Sequence, residues 1–180
     1  NCIVGSGGSL YYHDYYYHIR GAVSTSHPSA IYWNDPDEMK LSVIIDGKRE
    51  FLTRSEYDAK KDRITKIEGV AVIDGGVKFA VQLKDAQQGS IDNLTTARTL
   101  YGDIMPTELQ GMIISAKMNE INNAIRSFGG TAIDTGYAYV TTATTVSSGG
   151  RYHNCVKGTG GNLNYHDYSL YVRGVVNLKD

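Results

Sequence analysis

Apolar and polar positions alternate in four short runs, and two pairs of those runs turn back on themselves. Leu41, Ser42, Val43, Ile44 and Ile45 meet Arg49, Glu50, Phe51 and Leu52 across Asp46, Gly47 and Lys48. Asp-Gly between alternating runs is a hairpin signal, because both central residues of the tight turn need positive φ. A second hairpin joins 67–73 to 77–83 across Asp74, Gly75 and Gly76, with Val70, Val72, Phe79 and Val81 placed to reach a core. The period then changes. Leu109, Met112, Ile113, Ala116, Ile121, Ala124, Ile125 and Phe128 recur at three- and four-residue steps, which predicts one amphipathic helix over 107–128. Thr107 with Gln110 forms a capping box, and Gly129 and Gly130 end the helix. A shorter helix is expected over 94–101, behind Asp92 or Asn93. Strands return at 137–142, 152–157, 162–168 and 170–176, with turns at Gly149 and Gly150 and at the glycines 158, 160 and 161. Residues 24–40 are loop-like, and 54–65 are a charged surface connector. Hairpins, then helices, then strands is the order of an α+β fold with segregated elements, not of alternating βαβ units.

Residues 1–23 and 154–176 are one segment written twice. NCIVGSGGSLYYHDYYYHIRGAV and NCVKGTGGNLNYHDYSLYVRGVV share 13 of 23 positions without a gap, where chance pairing gives roughly one or two. The offset is 153 residues, so the expected organisation is a module's C-terminal strands (1–23), a loop and hairpin leader (24–65) and a second module (66–180). Glycines and an Arg-Gly step hold the frame. Side chains of exposed type exchange: Ser9 for Asn162, Tyr11 for Asn164, Tyr16 for Ser169, Tyr17 for Leu170 and His18 for Tyr171. Tyr, Ser, Asn and His are side chains that binding surfaces favour, because Tyr adds rigid contact area and Ser and Asn adapt their hydrogen bonds. Strands left without a partner invite pairing with another chain, so residues 1–23 are also the expected route of self-association.

Composition narrows the field. A net charge of −1 draws the chain to neither nucleic acid nor an anionic membrane, and no apolar run is long enough to span a bilayer. Tyr supplies 14 of 18 aromatic residues beside 20 Gly, a balance that suits a compact β-rich domain with a polar aromatic surface. Cys2 and Cys155 occupy equivalent repeat positions, a module apart, which argues against a disulfide within one module. His13 and Asp14, like His166 and Asp167, are strand neighbours that point to opposite faces and cannot readily share an acid–base or metal site. His18, His27 and His153 add no ligand spacing. The glycine runs are not followed by Lys-Ser/Thr or by a helix, so they are turns and not phosphate loops. No cofactor and no metal are expected.

The stretches 69–86, 105–130 and 136–176 resemble the C-type-lectin-fold variable proteins of diversity-generating retroelements, as found in gut bacteria and their phages, and related lectin-like adhesin domains. The marks are the strand from Gly75 to Ala86, the helix start Pro106, Thr107 and Gly111, and the closing Tyr171 to Val175. The resemblance departs at Tyr137 to Ala143, where family members often carry tryptophans. It implies a C-type-lectin-like fold with an N-terminal β-hairpin appendage and a partial preceding repeat. It also implies a non-enzymatic recognition module whose closing segment is diversified, binding a protein or glycan receptor on a cell surface. The expected location is a virion tail or the bacterial cell surface. A carbohydrate-binding adhesin of the same fold is the alternative. An oxidase of the formylglycine-generating type shares the fold but needs a close cysteine pair, and one module supplies only Cys155. The expected ligand-binding residues are Tyr152, Asn154, Asn162, Asn164, Tyr165, His166, Asp167, Tyr168 and Tyr171, with Tyr11, Tyr12, His13, Asp14, Tyr15, Tyr16 and His18 in the first copy. Alternation lets only about half of any strand face a ligand, and the exchange pattern between the copies selects Asn162, Asn164, His166, Tyr168 and Tyr171 as the exposed set, with Leu163, Val172 and Val175 in the core. Arg173 is expected to be structural.

Overall fold

A computed structural model describes residues 39–87, 89–167 and 169–178 in full, and residues 2–3 and 10–11 by their backbone. The chain divides into two units, Asn1–Trp33 and Asn34–Asp180. In the first, β1 (Cys2–Ile3) pairs antiparallel with β2 (Leu10–Tyr11), Cys2 opposite Tyr11 and Ile3 opposite Leu10. Tyr12, His13, Asp14, Tyr15, Tyr16 and His18 lie outside the described residues.

The second unit mixes helices and sheets, as the order of patterns implied. The two expected hairpins are β3 (Leu41–Ile45) with β4 (Lys48–Leu52), and β5 (Ile64–Asp74) with β6 (Val77–Val81). The first turn has Asp46 and Gly47 both at positive φ, 50° and 76°, the handedness that closes a two-residue hairpin. With β12 (Val175–Asn177) these strands form one antiparallel sheet, ordered β12-β6-β5-β3-β4. β6 joins the first and last strands of the module by pairing with both, Val81 lying opposite Val70 and Val175. One expectation changes here: the β3–β4 hairpin is no appendage. It completes the sheet against β5, and its Leu41, Val43, Ile45 and Leu52 are buried in the main core.

Residues 54–60 are helical, not a bare connector: α1 (Arg54–Lys60) starts at a Thr53–Glu56 capping box, with a short 3₁₀ turn after it. The box satisfies two orphan backbone N–H groups at no cost in burial, so a polar segment with no buried residue still forms a helix. α2 (Leu94–Tyr101) is capped by Asn93. The long helix is two: α3 (Glu108–Ala116), opened by the Thr107–Gln110 box, and α4 (Met118–Ser127). They break at Lys117, whose φ of −104° and ψ of 18° leave the helical region.

A second sheet runs β10-β9-β7-β11, made of β7 (Ala138–Tyr139), β9 (Tyr152–Val156), β10 (Leu163–His166) and β11 (Leu170–Tyr171), with β8 (Thr145–Val146) also on β9. One face, through Tyr139 and Val156, joins the main core of the first sheet and helices. The other packs Ala138, Val140, Cys155, Leu170 and Val172 on Leu94 and Ala97 of α2. α3 presses on this sheet at Gly111, where any Cβ would stand 2.7 Å from Thr141 Cγ2, so only glycine lets the helix approach so closely.

Candidate functional site

The register of the closing hairpin is set by β9 and β10, and it matches that of the first copy. Val156 faces Leu163 and Cys155 faces Asn164; shifted by 153 residues, these are the pairs Ile3–Leu10 and Cys2–Tyr11. Beyond Asn164 the ladder slips, because His166 faces Tyr152. His153 and Asn154 therefore stand where β10 has only Tyr165. This is a β-bulge, and Asn154 takes the left-handed conformation it needs, φ 59°. Asn tolerates that region better than most side chains. The carbonyl of Asn154 accepts from the Thr141 and Thr144 hydroxyls at 3.0 and 3.1 Å, and its Nδ2 donates to the Ala143 carbonyl at 3.3 Å.

The exposed end of this hairpin carries most of the expected residues. Asn162, Asn164, Tyr165 and Asp167 are exposed and His166 is half-buried. Tyr165, 58% exposed, lies under the Arg151 guanidinium, 4.8 Å from the ring centroid, and Arg151 Nε donates to Asp167 Oδ1 at 2.6 Å. One arginine thus steadies an aromatic ring and a carboxylate two residues apart on the same side. Asn164 Nδ2 donates to the Lys157 carbonyl at 3.0 Å. Lys157 Nζ donates to His166 Nδ1 at 3.0 Å. Burial first, and then the Lys157 charge, hold the imidazole below its usual pKa, while Asp167 opposes them. Tyr168 lies outside the described residues.

Two expected residues are elsewhere. Tyr152 is not on the rim. It is 8% exposed in the core with Cys155, and its hydroxyl donates to the Asp92 carbonyl at 3.0 Å. The bulge is the reason: the extra residue reverses the alternation, so Tyr152 and Cys155 face the same way. Tyr171 lies on β11, three strand steps from β10, or about 14 Å at the usual spacing. Its ring stacks on Tyr137, centroids 4.2 Å apart and planes 2° apart, and tilts against Tyr139 at 5.8 Å. Tyr137 was not among the expected site residues. Its place follows from β7 pairing parallel with β11, a contact across the chain that no local pattern announces.

Arg173 takes the structural role expected of it. At 1% exposure it donates to the carbonyls of Gln82 and Thr131 at 3.0 and 2.9 Å, and Nη2 lies 2.8 Å from Asp85 Oδ1. That last contact is an ion pair without hydrogen-bond alignment, since Asp85 Oδ1 and Arg173 Nε both lack a hydrogen-bond partner. Burial pushes the Asp85 carboxyl above its usual pKa, with Arg173 and Tyr139 pulling it down. Burial likewise pushes the Tyr139 hydroxyl up to about 12. Burial, then Tyr137, Asp85 and Asp134, raise the Tyr171 hydroxyl above its usual pKa. Cys155 is free and fully buried, its thiol pushed up to about 11.

Burial in the second copy accounts for part of the pattern of exchange between the copies, since exposed Asn154, Tyr165 and Asp167 are also unchanged. Buried Cys155, Arg173 and Gly174 are unchanged in the first copy, and buried Val156, Val172 and Val175 become Ile3, Ile19 and Ala22. Polar-for-aromatic exchanges fall at exposed Asn164 (Tyr11) and half-buried Ser169 (Tyr16). Buried Leu170, which becomes Tyr17, departs from this rule.

The second unit is therefore an α+β body with an exposed, bulged hairpin at one sheet edge and a tyrosine pair at the other. No family model, no curated protein and no solved structure matches this chain. Among the described residues, no helix is long and apolar enough to cross a membrane.

Proposed function

We propose that the second unit is a C-type-lectin-like, non-enzymatic recognition module that binds a receptor on a cell surface through the β9–β10 hairpin. The observation that carries this is the exchange pattern: the two copies keep their buried frame, while a large polar-for-aromatic change falls at exposed Asn164. Tyr165, His166 and Asp167 are common to both copies. Here Arg151 and Lys157 brace them, and Asn162 and Asn164 flank them as the exchangeable positions. A rigid, satisfied frame with adaptable Asn and Tyr on its rim is how recognition loops combine contact area with tolerance of substitution. Cys155 supports the non-enzymatic reading, because a buried thiol with a raised pKa is a poor nucleophile.

In this reading residues 1–23 are the closing strands of a preceding module of the same kind, the closing segment is a diversified surface, and the protein sits on a phage tail or a bacterial surface. The matched registers of β1–β2 and β9–β10 support the first point.

Labelled protein incubated with a panel of bacterial cells tests the function. Asn164→Tyr, which installs the first copy's residue, is expected to change which cells are bound, and Asn164→Ala with Tyr165→Ala to abolish binding, with melting unchanged. Identical binding by parent and variants overturns the reading.

A further inference from the structure

We propose an oxidative modification site at the edge of the second sheet: Tyr137 and Tyr171 are placed to be joined by a carbon–carbon bond between their rings, a dityrosine, when a peroxidase and hydrogen peroxide act on the chain. Neither residue belongs to the β9–β10 hairpin, so the inference does not rest on the receptor-binding reading.

The rings lie face to face, centroids 4.2 Å apart and planes 2° apart. Burial first, and then the charge and hydrogen bonding of Tyr137, act on the Tyr171 hydroxyl. The two hydroxyls are therefore neighbours at one end of the stack, and the ring carbons beside them face each other. A phenoxyl radical carries its unpaired spin in π orbitals, on the oxygen and on the carbons ortho to it. Those orbitals stand normal to the ring, so two parallel rings at this spacing aim them at one another. Reacting centres held this close in the right orientation couple within one chain faster than between chains. Access fits the same geometry. Tyr137 is 43% exposed and lies just before β7, outside its ladder, so its ring can meet the oxidant and turn as the product leaves the stack. Among the described residues no other two tyrosines stack in parallel. Tyr139 is 2% exposed and tilted by 49° on Tyr171, Tyr57 has Phe128 as its ring neighbour, and Tyr165 lies under Arg151.

The step balances. The peroxidase removes one electron and one proton from each phenol, and hydrogen peroxide takes up both pairs to become two waters. The radicals pair at one ortho carbon of each ring, which forms the carbon–carbon bond. Each of those carbons then gives up its hydrogen as a proton while each ring oxygen takes one up, and both phenols are restored. The bond bridges β7 and β11, which pair in parallel over two residues of each strand. Parallel pairing is the less stable kind of ladder per residue, and a covalent bridge across it removes freedom from the unfolded chain. Cys155, free and buried, supplies no disulfide for that purpose.

Treatment of the dilute full chain with a haem peroxidase and hydrogen peroxide, in a mixture that dimerises free tyrosine, tests this. Dityrosine fluorescence is expected in the monomer band of a denaturing gel, and fragmentation of its proteolytic peptides is expected to join Tyr137 to Tyr171. Tyr137→Phe and Tyr171→Phe keep the ring but cannot form the phenoxyl radical. Each is expected to lower the monomer-band fluorescence by about fivefold or more, and Tyr165→Phe to leave it unchanged. The linked monomer is expected to melt about 3 °C or more above the untreated chain. The proposal is overturned if no peptide joins Tyr137 to Tyr171, if cross-links form only between chains, or if Tyr171→Phe couples like the parent. Equal melting of the linked and untreated monomers would overturn the bracing of β7 and β11.

Discussion

Tyr152 and Cys155, three residues apart on one strand, face the same core. Strict alternation would put them on opposite faces. The left-handed Asn154 between them inserts the extra residue that turns the strand over. This one backbone conformation decides which side chains of the closing hairpin meet solvent.

Asn154 is accordingly the position where the bulge can be tested. Valine is strained at positive φ, and Asn154→Val is expected to cost about 1–2 kcal/mol. In a unit of this size that lowers the melting temperature by roughly 3–8 °C. Asn154→Gly should stay within about 0.5 kcal/mol of the parent, since glycine adopts this conformation freely. Thermal unfolding followed by circular dichroism distinguishes the two. Equal melting of the valine and glycine variants would show that the conformation is not what holds the register.

Arg173 ties three chain segments together, and its removal strands Asp85. Arg173→Met is expected to cost about 3–5 kcal/mol in urea unfolding, the scale for breaking a buried ion pair from one side. Adding Asp85→Asn removes the stranded carboxylate and should recover part of that loss. No recovery in the double variant would mean that the backbone bonds to Gln82 and Thr131 carry the whole effect.

His166 makes stability depend on pH. Its folded pKa is depressed, by burial and by Lys157, with Asp167 opposing and Arg151 held on Asp167. The folded state therefore binds the proton less well than the unfolded chain. The neutral-state contribution is fully present above the unfolded value of about 6.5 and is lost as pH falls below it. His166→Asn should flatten the difference in urea midpoint between pH 7.5 and pH 5. A variant with the parent's pH profile would assign the dependence to another group.

Tyr171 and Tyr165 separate packing from exposure. Tyr171→Ala removes the partner of Tyr137 and a contact of Tyr139, and is expected to cost about 1–3 kcal/mol. Tyr165→Ala, at an exposed position, should cost within about 0.5 kcal/mol. Urea unfolding measures both. Equal small losses would show that the tyrosine stack does not contribute to stability.

The sequence by itself determined what local periodicity and capping chemistry control. The β3–β4 and β5–β6 hairpins follow from alternation and glycine turns. The starts of α2 and α3 follow from Asn93 and the Thr107–Gln110 box. The core positions Val172 and Val175, and the structural place of Arg173, were legible from the repeat, because buried positions tolerate little exchange. Only the tertiary structure decided the rest. Lys117 breaks the long helix although the apolar stripe continues through it, since periodicity reports which face is buried and not whether the axis is straight. The β3–β4 hairpin joins the main sheet because β5 offers it a partner edge, which lies in pairing and not in either strand. The bulge at Asn154 sends Tyr152 inward by a single φ that composition does not encode. Tyr171 lies apart from its sequence neighbours on β10, against Tyr137, because the crossover to β7 carries it across the sheet. Pairing partners and bulges are choices between distant segments, settled by which arrangement buries the most apolar surface with every backbone group bonded.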